Sequence, residues 1–173
     1  MNQRLVIIRG APASGKSTIA EKLRDFQKKI VWLKVDNFKD FFSEDGTSGL
    51  EYANESAVVV LDYLLGQGFS VIMEGIFQNT EYVTKAIKVA EGRAIPYKVY
   101  QIKCSLSVLQ KRDRERPGIK EGCRKPLGDE VIEKLYRIVA GNPYPNAIIL
   151  DTENLSPDEC ADTIGLAVKK LLI

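Results

Sequence analysis

The chain has no histidine, only three cysteines, and a net charge of just +2 over 173 residues. Each shortage removes a class of function. Without histidine there is no histidine base, no histidine-containing triad and no His-ligated zinc site. A general base has to be Asp or Glu, or less readily Lys or Tyr. Cys104, Cys123 and Cys160 are odd in number and share no C-x-x-C spacing, which argues against a zinc knuckle or a disulfide framework and suits a reducing cytoplasm. With 25 basic and 23 acidic residues the balance predicts no broad nucleic-acid surface, though a local patch stays open. Long apolar runs are also missing. None approaches the ~20 residues of a membrane span, and the run Leu5–Ile8 falls short of the roughly 7–15 residues of a secretory core despite the Ala11-Pro12-Ala13 that follows it. The expectation is a cytoplasmic protein with no membrane partner. Repeats, low-complexity tracts and Pro/Ser-rich linkers are absent too, so residues 1–173 read as one domain.

What is present is alternation. Five short apolar runs, 5–8, 30–35, 69–73, 97–104 and 147–150, are rich in β-branched or aromatic residues and fit buried strands. Helical spacing separates them: Ile19, Leu23 and Phe26; Val58, Leu61 and Leu65; Val131, Leu135 and Ile138; Cys160, Ile164, Val168 and Leu171. Ser156, Pro157 and Glu159 form a capping box that starts the last helix. Strands alternating with helices predict a parallel sheet covered on both faces, with right-handed crossovers and ligands at the carboxyl ends of the strands. The informative residues should therefore follow the strands.

The first of these segments is Gly10-Ala11-Pro12-Ala13-Ser14-Gly15-Lys16-Ser17-Thr18, a full G-x-x-x-x-G-K-[ST]. Gly10 leaves the strand, and Gly15 lets backbone N–H groups curl around a β-phosphate. The helix opening near Lys16 aims its positive end at the same group. Lys16 reaches the β- and γ-phosphates and the Ser17 hydroxyl coordinates Mg²⁺. Thr18 either helps bind the α-phosphate or packs. The cofactors implied are ATP and Mg²⁺.

Two acids end other strands. Asp36 could accept the proton of an acceptor hydroxyl and orient it toward the γ-phosphate, or it could cap a helix running through Phe38, Lys39 and Phe42. Glu74, before Gly75, could hold Mg²⁺ through water, bind the acceptor, or merely cap a turn. Farther on, residues 111–125 read KRDRERPGIKEGCRK, seven bases against three acids. Arg112 and Arg116 are four apart and share a helix face, Arg114 points elsewhere, and Pro117-Gly118 breaks the helix before another begins near Asp129. Such arginines over the γ-phosphate would form a lid of about 111–128 that neutralises developing charge and excludes water. A solvated, self-paired face and a contact with an acceptor phosphate or polynucleotide are the alternatives.

Taken together, the phosphate loop, VDNFKDFF, VIMEG, CSLSVLQKRDRER and AIILDTENLSPDE resemble the small P-loop kinases, in the group that is zeta-toxin-like, chloramphenicol-phosphotransferase-like and polynucleotide-kinase-like. The resemblance implies a three-layer α/β/α fold with a five-stranded parallel sheet of order 2-3-1-4-5 and a helical lid. It implies a catalytic Asp at Asp36 and an acceptor-phosphate contact at Lys39, a Lys where polynucleotide kinases carry Arg. The Glu74-Gly75-Ile76 strand end lacks the hydroxyl of the zeta-toxin pattern. The lid arginines would be Arg112 and Arg116, and adenine would lie between the lid arginine and the loop from Asp151 to Pro157, which includes Thr152. An acceptor segment of about 36–68 holds Phe38, Phe41, Phe42, Tyr52, Gly46 and Gly49; these aromatics either stack on a ring or pack the segment onto the sheet. The activity expected is transfer of the ATP γ-phosphate to the hydroxyl of a small-molecule acceptor. Two alternatives stay open: a nucleotide or nucleic-acid end as acceptor, and an ATPase module acting by conformational change.

Overall fold

The computed structural model describes residues 3–26, 28–42, 47–118 and 125–170. Its centre is a strand that is buried along its whole length, β1 (Leu5–Gly10). A strand covered on both faces needs apolar residues at successive positions rather than alternate ones, and Leu-Val-Ile-Ile supplies them. β1 pairs in parallel with β3 (Ser70–Gly75) on one side and β4 (Tyr97–Lys103) on the other. β2 (Ile30–Lys34) and β5 (Ile148–Asp151) complete the sheet in the order β2-β3-β1-β4-β5.

The pleat sorts side chains to two cores. Leu5 and Ile7, with Leu33, Val71, Met73 and Val99, face α2 (Thr47–Gly66) and α3 (Glu81–Gly92). Val6 and Ile8, with Ile72, Tyr100, Ile102 and Leu150, face α1 (Lys16–Leu23) and α6 (Pro157–Lys170). A third, smaller cluster of Ala11, Cys104, Leu109 and Ile132 joins α4 (Leu106–Arg114) to α5 (Asp129–Gly141) beside the loop after β1. This is the three-layer α/β/α architecture of P-loop proteins. Among the described residues no helix is long and apolar enough to cross a membrane.

Three local expectations change. The apolar stripe of α5 is not Val131, Leu135 and Ile138: Ile132 and Val139 are buried, and Val131 is exposed. Seven apart, Ile132 and Val139 lie one above the other, and Tyr136 between them packs on the same cluster. The segment from Val35 to Phe41 is a 3-10 helix that begins on Lys34, so Asp36 lies within its first turn and is not its N-cap. α4 ends at Arg114, which leaves Arg116 beyond the helix rather than on its face. Val168 lies where side chains are not described, and Leu171, Gly46, Gly122 and Cys123, with lid positions 119–124, lie outside the described residues.

The capping box of α6 is formed in full. Ser156 Oγ accepts from the Glu159 amide (3.2 Å), and the Glu159 carboxylate accepts from the Ser156 amide and hydroxyl (2.8 Å each). Ser156→Ala should lower unfolding stability by about 1 kcal/mol, read as a lower urea midpoint at unchanged slope.

Candidate functional site

The carboxyl ends of the strands define one rim. Arg9 is level with Gly75 and Gln101, Lys34 with Glu74, and Lys103 with Asp151. The phosphate loop leaves this rim between β1 and α1. Gly10 has no room for a side chain: a Cβ there would stand 2.9 Å from the Ile102 carbonyl oxygen. Two residues of the loop take left-handed backbone, Ala13 at φ 61° and Gly15 at φ 92°. For Ala13 that conformation costs roughly 1–2 kcal/mol, strain of a kind that concentrates at functional sites. The first amides of α1 have no partner within the helix, and its N-cap residue, Gly15, has no side chain to satisfy them.

Lys16 folds into this loop. Its Nζ donates to the Ala11 carbonyl at 2.7 Å, and the residue is only 6% exposed. Burial pulls its pKa down; Glu74 and then Asp36 push it up, while Arg116 and Lys34 push it down. The charges of all four groups are felt at the ammonium. A buried ammonium with one neutral hydrogen-bond acceptor, next to the open first amides of a helix, is suited to receive an anion.

Glu74 is 2% exposed. Its carboxylate accepts from the Ser17 hydroxyl (3.2 and 3.3 Å) and from the indole N–H of Trp32 (3.2 Å). Trp32 is itself bracketed by Arg24 and Lys34, 5.5 and 5.4 Å from its ring centre. Asp36 has different company: Lys39 Nζ lies 2.7 Å from its Oδ1. Thr18 is exposed, which removes the packing alternative for it. Ser14 turns its side chain inward; it is 1% exposed and its Oγ has no hydrogen-bond partner.

In the described part of the basic segment, Arg112 and Asp113 are drawn inward rather than left on a solvated face. Arg112 reaches across to the loop after β5, donating to Thr152 Oγ1 (3.1 Å) and the Thr152 carbonyl (2.7 Å). Thr152 in turn donates to the Ser14 carbonyl (3.1 Å), so phosphate loop, α4 and the β5 loop are tied at one point. Asp113 is fully buried. It accepts from the amides of Leu127 (2.8 Å) and Gly128 (3.0 Å) at the start of α5, and Arg116 pairs with it at 3.1 Å. Arg114 pairs outward, with Asp129. The aromatics after β2 form two contacts, Phe38 edge-on to Phe41 and Phe42 stacked on Tyr52, and Phe41 and Tyr52 remain exposed.

Sequence reasoning passed over Trp32, Lys34, Asp113 and Arg9. Asp113 sat inside an alternating charge pattern that looked solvated, and the other three belong to strands where nothing in the spacing marks them.

A three-layer sheet of this order with a phosphate loop after its central strand defines a P-loop protein with the kinase arrangement of strands. The chain belongs to the zeta toxin family, which it matches over residues 2–140. Solved structures share the fold across nearly the full length. They include the APS kinase of Mycobacterium tuberculosis in complex with AMPPNP and APS (TM-score 0.71, 17% identity, 97% of this chain and 98% of that one). The Deinococcus radiodurans tunicamycin resistance protein is similar as well (0.69, 14%, 96% and 96%), as is a gluconokinase from Sinorhizobium meliloti (0.65, 16%, 95% and 91%). At these identities the likeness is one of fold. No curated protein matches the chain.

Proposed function

We propose that the chain is an ATP-dependent kinase that transfers the γ-phosphoryl group to a hydroxyl of a small-molecule acceptor. The observation that carries this reading is the separation of the two strand-end acids. Both act on Lys16, but Glu74 is bonded to Ser17 while Asp36 is paired with Lys39. Glu74 thus belongs to the metal side of the site and Asp36 to the acceptor side.

In this reading Gly10, Ala13, Ser14, Gly15 and Thr18 contribute the loop that holds the phosphates, and Lys16 supplies the charge at the β/γ end. Ser17, with Glu74 bonded to its hydroxyl, would hold Mg²⁺, which would supply neutralisation of phosphate charge. The acceptor oxygen forms its bond to the γ-phosphorus as the bond to the β–γ bridging oxygen breaks; ADP leaves, and Asp36 takes the hydroxyl proton. Arg116, whose charge reaches Lys16, faces the transferring group, while Arg112 and Thr152 fix the nucleotide side. Residues 36–68 would hold the acceptor and 111–128 would act as the lid. A second reading, a nucleotide or nucleic-acid end as acceptor, is favoured by the Lys39–Asp36 pair, which places a cation beside the proposed base, as a phosphate next to the reacting hydroxyl would require. An ATP-consumption screen against hydroxylated metabolites, antibiotics, nucleosides and 5′-OH oligonucleotides tests the proposal. Consumption that depends on a hydroxylated small molecule supports it, dependence on an oligonucleotide moves the assignment to the second reading, and acceptor-independent hydrolysis alone sinks both.

Three variants test the sorting of roles. Arg116→Ala should lower turnover by roughly 10²–10³ with little loss of ATP affinity, as expected for a group acting on transition-state charge. Arg112→Ala should weaken ATP as well, because its partner Thr152 is anchored to the phosphate loop. Full activity in both variants would remove the lid. Glu74→Gln keeps size and loses charge, and should raise the Mg²⁺ requirement about tenfold or more. A raised acceptor KM at unchanged Mg²⁺ dependence would instead move Glu74 to the acceptor.

A further inference from the structure

Arginine is a costly residue to place on the central strand of a buried sheet, yet Arg9 occupies the next-to-last position of β1 with 0% exposure. Its Nε donates to the Phe77 carbonyl at 3.1 Å, and its Nη1 donates to Gln101 Oε1 at 2.8 Å and to the Val139 carbonyl at 3.4 Å. Nη2 is buried with no partner. Every partner is neutral, and no carboxylate among the described residues pairs with it. Burial accordingly draws its pKa down, with no opposing charge to hold it up. The last-turn carbonyl of α5 offers only the fractional charge of a helix end. Buried charges are ordinarily matched by a counter-charge, because an unmatched one costs several kcal/mol.

A space that could hold the missing charge lies alongside. Gln101 and Val139, two of the partners of Arg9, also line a cavity of about 170 Å³ between the phosphate loop, β4, α4 and α5. The orientation of Gln101 is fixed. Both Arg9 and the Tyr144 amide (3.3 Å) can only donate, so the atom facing them is the carbonyl oxygen. The amide NH₂ is then the end of Gln101 with hydrogen bonds still to give. The partnerless Ser14 hydroxyl is in the same wall. Most of the remaining wall is apolar, chiefly Ile102, Leu109, Tyr136 and Val139, with Cys104 beside them and the exposed residues Lys103 and Ala140 also in the lining. Lys16, Ser17, Asp36 and Glu74 are not among its walls, which sets the cavity apart from the cradle, and Arg9 meets it through Gln101 and Val139 rather than directly.

We propose that this cavity is a second ligand site, for a compact monocarboxylate with an apolar body about one ring in size. The carboxylate accepts from Gln101 and Ser14 and brings the negative charge that Arg9 lacks. The ring packs against Leu109, Tyr136 and Val139. The size is appropriate: an apolar cavity of about 150 Å³ accommodates benzene. Because its walls come from the phosphate loop on one side and from α4 and α5 on the other, an occupant would link the loop to α4, which carries Arg112 and runs into Arg116. The site does not depend on which acceptor the kinase reading requires.

Benzoate is the probe, titrated calorimetrically into the full chain, with benzyl alcohol as the neutral comparison. Three variants accompany it. Ala140→Phe plugs the mouth from an exposed position that folding tolerates, Gln101→Leu removes the donor, and Lys16→Ala removes the anion-binding group of the phosphate cradle. The expected result is saturable one-to-one binding of benzoate, about tenfold or more tighter than benzyl alcohol, as a charge-assisted hydrogen bond implies. Binding should be lost in Ala140→Phe, weakened in Gln101→Leu and retained in Lys16→Ala. Three results would each overturn the proposal: no saturable binding, equal affinity for the two probes, or loss of benzoate in Lys16→Ala, which would put the carboxylate in the phosphate cradle. Should Gln101→Leu fail to fold, Ala140→Phe and Lys16→Ala still decide the outcome.

Discussion

Lys16→Ala is expected to lose phosphoryl transfer by roughly 10³ and to bind MgATP at least tenfold more weakly, without any fall in the melting temperature of the free protein. The two halves of that expectation rest on the same burial. In the free chain the ammonium is 6% exposed and makes a single hydrogen bond, to the Ala11 carbonyl, so desolvation dominates and its pKa is depressed. A base with a lowered folded-state pKa holds its proton less tightly folded than unfolded. Stability then rises as pH climbs from the lowered folded pKa toward lysine's ordinary value of about 10.4. Lys16→Ala should erase that rise. What the lysine costs the free protein it returns on the ligand, because a charge-assisted bond to phosphate is worth about 1.5–3 kcal/mol and removing one preorganised donor from developing charge costs 10²–10³ in rate. Calorimetry with MgATP and melting curves across pH check both. Wild-type ATP affinity in the variant would sink the assignment of this loop to phosphate.

The same residue illustrates what the sequence could carry. The phosphate loop was legible because its chemistry is local: nine consecutive residues set the turn, the open amides and the cation. The five strands were legible within one or two residues, since a doubly covered sheet demands unbroken apolar runs and turns bound them. α3 was not read at all. Its buried residues are Tyr82, Val83, Ala86, Ile87 and Ala90, and alanines at two of these five positions give a weak apolar period even though they allow close packing on the sheet. The wrong stripe on α5 has a related cause. Val131, Leu135 and Ile138 keep the correct spacing, but Ile132, Tyr136 and Val139 keep it equally well one residue on, and only the position of α4 decides which stripe is covered.

The site was divided along the same line. Glu74 and Asp36 could be found because strand ends in a parallel sheet converge, but their roles could not be separated, since both are acids at equivalent places. The discriminating contacts, Ser17 to Glu74 across 57 residues and Trp32 to Glu74 across 42, are long-range and leave no pattern. Asp113 was misjudged because alternating charge looks solvated in one dimension. In three dimensions it is the buried acceptor for the amides of Leu127 and Gly128, which lead into the following helix.

Asp36→Asn should separate a kinase from an ATPase. Asp36 lies inside a 3-10 turn that begins at Lys34, so it carries no N-cap duty. Its pair with Lys39, at 2.7 Å between partly exposed side chains, contributes about 0–1 kcal/mol. Asn keeps the volume, and the fold should survive with an unchanged circular dichroism spectrum. ATP affinity should stay near wild type, because Glu74 rather than Asp36 is bonded to Ser17. Transfer, however, should fall by roughly 10² or more, since an amide cannot take the acceptor proton. The loss should appear in kcat with acceptor saturating, and slow background hydrolysis of ATP should change far less. If Asp36 served Mg²⁺ instead, nucleotide affinity would drop with activity and recover in part at high Mg²⁺. If its only work were to hold Lys39, Lys39→Met would cost as much as Asp36→Asn. An Asn variant transferring phosphate at the wild-type rate would end the catalytic assignment of Asp36.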